Sequence, residues 1–389
     1  MHQSATDPRP RVLHVTQPVE GGVARVVADL TRAQLADGLR VTVACPDGEL
    51  GGILRRSGAD VRHWPATRAP GPSLTGEVRR LRRLVADVRP DLVHAHSAKA
   101  GLAGRIAVRG RIPTVFQPHA WSFAAVGGPA AALATRWERF GTRWAHRTVC
   151  VSEAERRTGL RAGIDARWAV VPNGIDTRRF RPAAGAAARA SLGPGVDPHA
   201  PLVVCVGRLC RQKGQDVLLA AWPSVLRRVP GARLVLVGDG PGRDRLRAPA
   251  PVRFAGAVAD PAPWYQAADL VVLPSRWEGM ALAPLEAMAC GRPVVTTDVD
   301  GARESLPAGL APHCLVPPED PAALADAVAA LLLDPPLRDS LGHRARRHVL
   351  AAHDVRHTAG AVAEVYRALL GTGTAGPAAS TEYRESIHS

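Results

Sequence analysis

Lysine is almost missing from this chain: of its 50 Lys and Arg residues, only Lys99 and Lys213 are lysine. Aromatic residues make up 4% of the sequence and methionine occurs three times. The six cysteines (Cys45, Cys150, Cys205, Cys210, Cys290, Cys314) are scattered without a CxxC pair or a histidine at metal-ligand spacing. Neither a disulfide framework nor a zinc site is indicated, and a reduced, cytoplasmic compartment is expected. No stretch approaches the run of about 20 apolar residues that a spanning helix needs. The opening MHQSATDPRPR has no apolar core for a signal peptide. Any membrane contact is therefore expected from the surface, at the inner face. The absence of a short-period repeat excludes a solenoid.

Other properties are abundant. A hydrophobic content of 46% in 389 residues can bury a large core, and the length favours two domains. Gly (37) and Pro (34) suit many short loops between regular elements rather than a fibre. The net charge of +15 is unevenly spread: residues 1–182 carry 29 basic against 15 acidic residues, residues 183–389 carry 21 against 20. Part of the excess lies on EVRRLRRLVADVRP, where Val78, Leu81, Leu84, Val85 and Val88 follow helical spacing and Arg79, Arg80, Arg82 and Arg83 take the other face. More lies on TRWERFGTRWAHR, where arginines alternate with Trp137, Phe140 and Trp144. Each helix alone reads as a solvated face over a core. Together they suit an anionic partner such as a phospholipid surface or a pyrophosphate-bearing acceptor. A nucleic-acid partner rests on charge alone and is not expected.

The same plan is written twice along the chain. RVLHVTQP, RVTVACP, DLVHAHS, PTVFQPH and RTVCVSE are short apolar strands, each ending in a polar or Gly-bearing turn, with helical periodicity between them. A second series runs through PLVVCVGRL, ARLVLVGDGPG, VRFAG, DLVVLPS and RPVVTTD. Alternation of this kind implies βαβ units and parallel sheets. The expected division is an N-terminal domain over 1–180, a Pro- and Ala-rich crossing over 181–200, a C-terminal domain over 201–370 and a disordered tail over 371–389. The last helix of 201–370 can return to the N-terminal domain.

Ligands in doubly wound sheets bind beyond the carboxyl ends of the strands, so the chemistry is sought in those loops. GDGPG (238–242) has Arg243 where a dinucleotide fingerprint requires Gly, and DVD (298–300) trails a late strand; neither is taken as a site. His94 and His96 lack a third ligand in the sequence and read as hydrogen-bonded strand-end residues. Arg208 and Lys213, in VGRLCRQKGQD, stand in the first βα loop of the second half and offer fixed positive charge for a diphosphate without a metal. RWEGMALAPLEAMACG follows a strand with Glu278 and Gly279, then a helix that Pro284 can start and Gly291 can end, its free N–H groups forming an anion site. Glu286 lies eight residues beyond Glu278, so the two carboxylates reach different parts of one ligand.

At these residues the sequence resembles the retaining glycosyltransferases of family 4, in the motifs PVEGGVARVV, FQPHAWSF, VVPNGIDTRRFRP, VGRLCRQKG, LVLVGDGP and EGMALAPLEAMACGRPVV. The resemblance implies the GT-B fold, two Rossmann-like doubly wound α/β domains facing across a cleft. It implies a UDP- or GDP-sugar donor held by Gly22, Arg208, Lys213, Gly240, Gly279, Met280, Ala281, Leu282 and Glu286, with no metal or other cofactor. Glu278 and His119 would act at the donor sugar, with retention by front-side attack; a double displacement through a carboxylate stays open. HSAKAG and PHAWSF look most like the branch that builds cell-envelope or exopolysaccharide glycans on lipid carriers, and Lys99 is expected to contact the anionic acceptor. A soluble natural-product acceptor and a nucleotide-sugar epimerase are the alternatives. Asp300, in DVDGARES, replaces the first glycine of the family's pattern, whereas Glu304 is retained.

Overall fold

The computed structural model describes residues 9–192, 199–247 and 251–371. The first sheet has seven parallel strands in the order β3-β2-β1-β4-β5-β6-β7. They are β1 Arg11–Thr16, β2 Arg40–Cys45, β3 Asp60–His63, β4 Leu92–His96, β5 Thr114–Gln117, β6 Arg147–Cys150 and β7 Trp168–Val170. The second has six parallel strands in the order β10-β9-β8-β11-β12-β13. These are β8 Leu202–Val206, β9 Arg233–Val237, β10 Val252–Gly256, β11 Leu270–Leu273, β12 Val294–Thr297 and β13 Leu315–Val316.

Each sheet carries helices on both faces, which is why its central strands are apolar without alternation: all five residues of β4 and all four of β11 are buried. In each half the strand order reverses beside the first strand, between β1 and β4 and between β8 and β11. The loops leaving those strands open onto one crevice. Three strands were not legible in the sequence. β3, β7 and β13 span four, three and two residues at sheet edges; β3 is mostly exposed, β13 is only Leu315–Val316, and the short run Trp168–Val171 around β7 stops at Pro172.

Within the expected crossing a short helix forms at Gly185–Ser191. The tail residues 372–389 lie outside the described residues. The final helix, Val355–Leu370, lies along Gly21–Ala36 of the first domain and buries Val362 and Tyr366 there. Where it comes back, the chain pairs with the outgoing segment. Ile175 N–H donates to His353 O (2.9 Å), and Val355 N–H donates to Ile175 O (2.9 Å).

Candidate active site

The second domain supplies two loops that touch. After β8 the chain makes a single turn over Arg211–Lys213 and then bends at Gly214, whose φ is +64°. A Cβ at Gly214 would stand 1.9 Å from Pro274 O, so only glycine lets this loop lie against the end of β11. That contact brings Lys213 to Glu278: Nζ sits 2.5 Å from Oε1, and Ser275 Oγ donates to the same oxygen at 2.7 Å. Gln212 reaches from the same turn to Trp277 O, 3.1 Å away. Arg208 follows β8 directly and is partly exposed. Gly240 seats the neighbouring loop against it, since a Cβ there would meet Leu209 O at 2.6 Å and Arg208 Cγ at 2.9 Å.

Beyond Glu278 the chain passes Gly279 and enters the helix Leu282–Ala289. This start is two residues before Pro284. The first turn of a helix has no intrahelical use for its N–H groups, so Pro284 is tolerated at its third position rather than needed at its first. Glu286 is buried one turn on, where the Tyr265 hydroxyl donates to Oε2 (2.8 Å) and Arg25 of the first domain forms an ion pair with Oε1. Tyr265 is held well above its usual range, first by burial and then by that carboxylate.

The first domain meets this segment face on. Ser152 Oγ donates to Gly279 O (3.1 Å) and Asn173 Nδ2 donates to Met280 O (2.7 Å). A Cβ on Gly279 would lie 2.8 Å from Val151 Cγ2 and 3.0 Å from Ala120 N. Gly22 stands at the start of the Gly21–Ala36 helix, opposite the Leu282 side chain. A small cavity of about 220 Å³ remains between the domains, lined on one side by Glu278 and Trp277 and on the other by Trp121 and Glu155.

His119 lies on the loop after β5 in a left-handed backbone conformation (φ 55°), followed by Ala120 at φ 94°. Two such residues in succession are strained without glycine. A buried carboxyl holds them: Glu155 Oε1 accepts Ala120 N–H at 2.6 Å, and Oε2 accepts Val151 N–H at 2.7 Å. Burial pushes Glu155 up to about 7, opposed by those two amides. Behind His119 stand His14, His94 and His96, all fully buried, with ring nitrogens of the three within 4.8 Å of one another. His14 supplies the third nitrogen that the sequence motif lacked. Two of the inward nitrogens are nevertheless spent on each other, His14 Nδ1 and His96 Nε2 being 2.9 Å apart.

Comparison with known proteins identifies the family and the fold. The model of the family described as Glycosyltransferase Family 4 matches residues 20–179, and that described as Glycosyl transferases group 1 matches residues 200–334. A GDP-mannose-dependent alpha-(1-6)-phosphatidylinositol monomannoside mannosyltransferase of Mycobacterium tuberculosis is 35% identical over 317 residues, covering 75% of this chain and 78% of the relative. The chain belongs to glycosyltransferase family 4. A D-inositol 3-phosphate glycosyltransferase of Nocardia farcinica is 36% identical over 308 residues, covering 72% of this chain and 67% of that one. The crystal structure of Anabaena Alr3699/HepE in complex with UDP and glucose superposes with a TM-score of 0.80 at 24% identity, over 92% of this chain and 100% of that chain. It shares the GT-B fold.

One expectation for this family 4 glycosyltransferase is revised by the geometry. Lys99 does not stand in a loop facing the cleft. It lies in the first turn of the helix Ser97–Val108, buried, with Nζ 2.7 Å from Glu77 Oε2 and donating to Ala69 O at 3.0 Å. Its ammonium ties this helix to Leu74–Val88, which leaves it no face for an acceptor; a buried charge is retained because it is fully paired. Asp300, at the family's first glycine position, turns to the first domain. It accepts the Thr158 hydroxyl at 2.7 Å, while Glu304 takes the N–H groups of Glu153 and Ala154 at 2.7 Å each, so this loop docks the first domain onto the second. The sequence reading missed Arg25 and Glu155. Arg25 lies within the recognised PVEGGVARVV, and Glu155 completes Ser152-x-x-Glu155, a capping-box spacing that signals a helix start. Nothing in the sequence alone shows that the two reach the cleft.

Proposed function

We propose that this glycosyltransferase moves a hexose-type sugar from a UDP- or GDP-sugar to a lipid-linked, phosphate-bearing acceptor with retention of configuration and without a metal. The observation that carries the reading is the Lys213–Glu278 pair beside Arg208 at the crevice end of the second sheet. Breaking the bond between sugar and diphosphate leaves negative charge on the phosphate while the sugar gains oxocarbenium character. Lys213, Arg208 and the amides from Gly279 to Leu282 are preorganised cationic and dipolar groups at that position, so they stabilise the departing charge more than the bound ground state. Glu278, already oriented by Ser275, accepts hydroxyls of the donor sugar, Glu286 those of the ribose, and His119 approaches the sugar from the first domain. Fixed cations in this number supply the role a divalent ion plays elsewhere. Front-side attack, with the departing phosphate taking the acceptor proton, requires no protein nucleophile.

The lipid-linked acceptor is supported by the relatives that act on a phosphatidylinositol mannoside and in lipopolysaccharide core biosynthesis. The surface of the first domain supports it as well. Exposed Leu133 and Phe140 lie beside exposed Arg136, Arg139 and Arg143, a combination suited to an anionic bilayer. No helix among the described residues is long and apolar enough to cross a membrane. The reading is tested by thermal-shift screening against nucleotide sugars with and without EDTA, followed by mass spectrometry and anomeric NMR of the products. Stabilisation by one UDP- or GDP-sugar, unaffected by EDTA, and a product of unchanged anomeric configuration are expected. Inversion, or transfer abolished by EDTA and restored by Mg²⁺, refutes it.

A further inference from the structure

Four histidine rings stand in line behind the cleft. His14 lies on β1, His94 and His96 on β4, and His119 on the loop after β5, with ring centroids 5.1 Å apart for His14 and His96 and 5.4 Å apart for His96 and His119. Their hydrogen bonds form one continuous chain. His14 Nε2 meets Gln34 Oε1 at 2.7 Å, His14 Nδ1 meets His96 Nε2 at 2.9 Å, and His96 Nδ1 meets His119 Nε2 at 3.1 Å. Burial keeps these rings neutral, pushing His14 down to about 4, His119 down to about 3 and His96 well below its usual range. A neutral imidazole has one N–H and one bare nitrogen, so the choice made at one ring fixes the next.

Gln34 sets that choice. Gln34 turns its amide nitrogen toward the Tyr366 hydroxyl (3.4 Å), which in turn meets His94 Nδ1 at 2.7 Å. With that hydroxyl donating to His94 Nδ1 it accepts from Gln34, and the Gln34 oxygen faces His14. An amide oxygen only accepts, so His14 carries its proton on Nε2 and presents a bare Nδ1. His96 must then donate from Nε2 and present a bare Nδ1, to which His119 donates from Nε2. We propose that Gln34, His14 and His96 are positioning residues that hold His119 as the Nε2–H tautomer, leaving Nδ1 as its one acceptor for a ligand hydroxyl. His119 then accepts a hydrogen bond from the donor sugar and has no proton to give it. Tyr366, which meets the Gln34 amide, sits on the last helix of the chain, nearly 250 positions downstream of His119 in sequence.

That His119 meets a donor sugar rests on the proposed function; its tautomer does not. A divalent ion among His14, His94 and His96 would make the opposite prediction. It would claim the bare pairs of both His14 Nδ1 and His96 Nε2, move the His96 proton to Nδ1 and force His119 to accept at Nε2. The 2.9 Å approach of those two nitrogens is a hydrogen-bond distance, which favours the proton chain.

The test is a two-bond ¹H–¹⁵N correlation spectrum of the full chain labelled with ¹⁵N-histidine, with His119 assigned by His119→Gln. The expected result is Nε2–H with a bare Nδ1. Gln34→Leu, which removes the fixing acceptor, is expected to give a mixture of tautomers and to lower kcat about tenfold with little change in donor KM. Gln34→Glu keeps an acceptor at the same place and restores the single tautomer. If Gln34→Leu does not fold, Tyr366→Phe removes only the hydroxyl that orients the amide and is expected to give the same mixture. An Nδ1–H tautomer in the unaltered protein overturns the proposal, as does a His119 pattern unchanged in Gln34→Leu or Tyr366→Phe. The expected tautomer in a protein that transfers no sugar would overturn the donor assignment alone.

Discussion

Glu155→Gln isolates what holds the His119 loop. The carboxyl receives two backbone N–H groups, from Ala120 and from Val151, on separate oxygens. An amide retains one acceptor and turns an N–H₂ group toward the other donor. One hydrogen bond to an ionisable group is lost and a buried N–H is orphaned, each worth about 1–3 kcal/mol. The left-handed backbone of His119 and Ala120, costing roughly 1–2 kcal/mol per residue, is then no longer held in place. A destabilisation of about 2–4 kcal/mol follows, which in a domain of this size corresponds to a fall in Tm on the order of 5–10 °C. Differential scanning calorimetry at pH 8, above the raised Glu155 value, measures it. Transfer kinetics should show kcat/KM lower by at least about tenfold, because His119 moves with the loop. Ala120→Gly should recover part of both losses, since glycine adopts φ 94° without strain. A Tm within about 1 °C of the unaltered protein, or loss without any recovery by Ala120→Gly, refutes the account.

Glu278→Ala and Lys213→Ala are each expected to abolish transfer in a protein that remains folded by circular dichroism; near-normal turnover in either removes the site assignment. Lys213→Arg keeps the charge but puts a broad guanidinium where the ammonium meets Glu278, and a kcat loss of more than tenfold is expected; activity within twofold would show that charge alone suffices. Acid should weaken the first domain. His14 and His119 titrate at about 4 and about 3 in the fold, against 6.5 when unfolded. Above pH 6.5 neither state takes up these protons. As pH falls from 6.5 toward 4 only the unfolded chain does, costing about 1.4 kcal/mol per pH unit for each histidine, and proton uptake by folded Glu155 between about 7 and 4.5 offsets about one histidine's share. Urea midpoints that stay flat from pH 7.5 to 5 would contradict this. Flotation with anionic but not neutral vesicles is expected, and Leu133→Asp should abolish it; binding unchanged in that variant would place the contact elsewhere.

The parallel-sheet plan was legible because buried parallel strands write themselves as unbroken apolar runs. Three of the four edge strands escaped because they are only two to four residues long, whereas the fourth, β10, has five and was read as VRFAG. The Lys213 and Glu278 assignments came from loop position, and the structure joins the two side chains. Lys99 shows where that reasoning stops. Its scarcity as a residue type and its place after a strand pointed into the cleft, yet the partner that decides its direction, Glu77, comes from another helix. The same holds for Glu155, whose two amide donors belong to the ends of different strands, and for Asp300, whose partner Thr158 lies 142 residues earlier.

The pairing of Ile175 with the returning segment at His353–Val355 makes the second domain an insertion within the first, entered and left side by side at a single parallel bridge of two backbone hydrogen bonds. A domain tethered by one linker can swing in any direction. One tethered by two bonded crossings has a single easy axis, along the line where they meet. Opening of the cleft is therefore expected to be a rotation about that pin. On that axis Glu304, bonded to the backbone of Glu153 and Ala154, should travel further than Asn173, whose carbonyl meets His353 beside the pin. The docking loop therefore acts as the latch and the Ile175 clasp as the hinge, and substitutions at the two should affect the rate and the direction of opening separately.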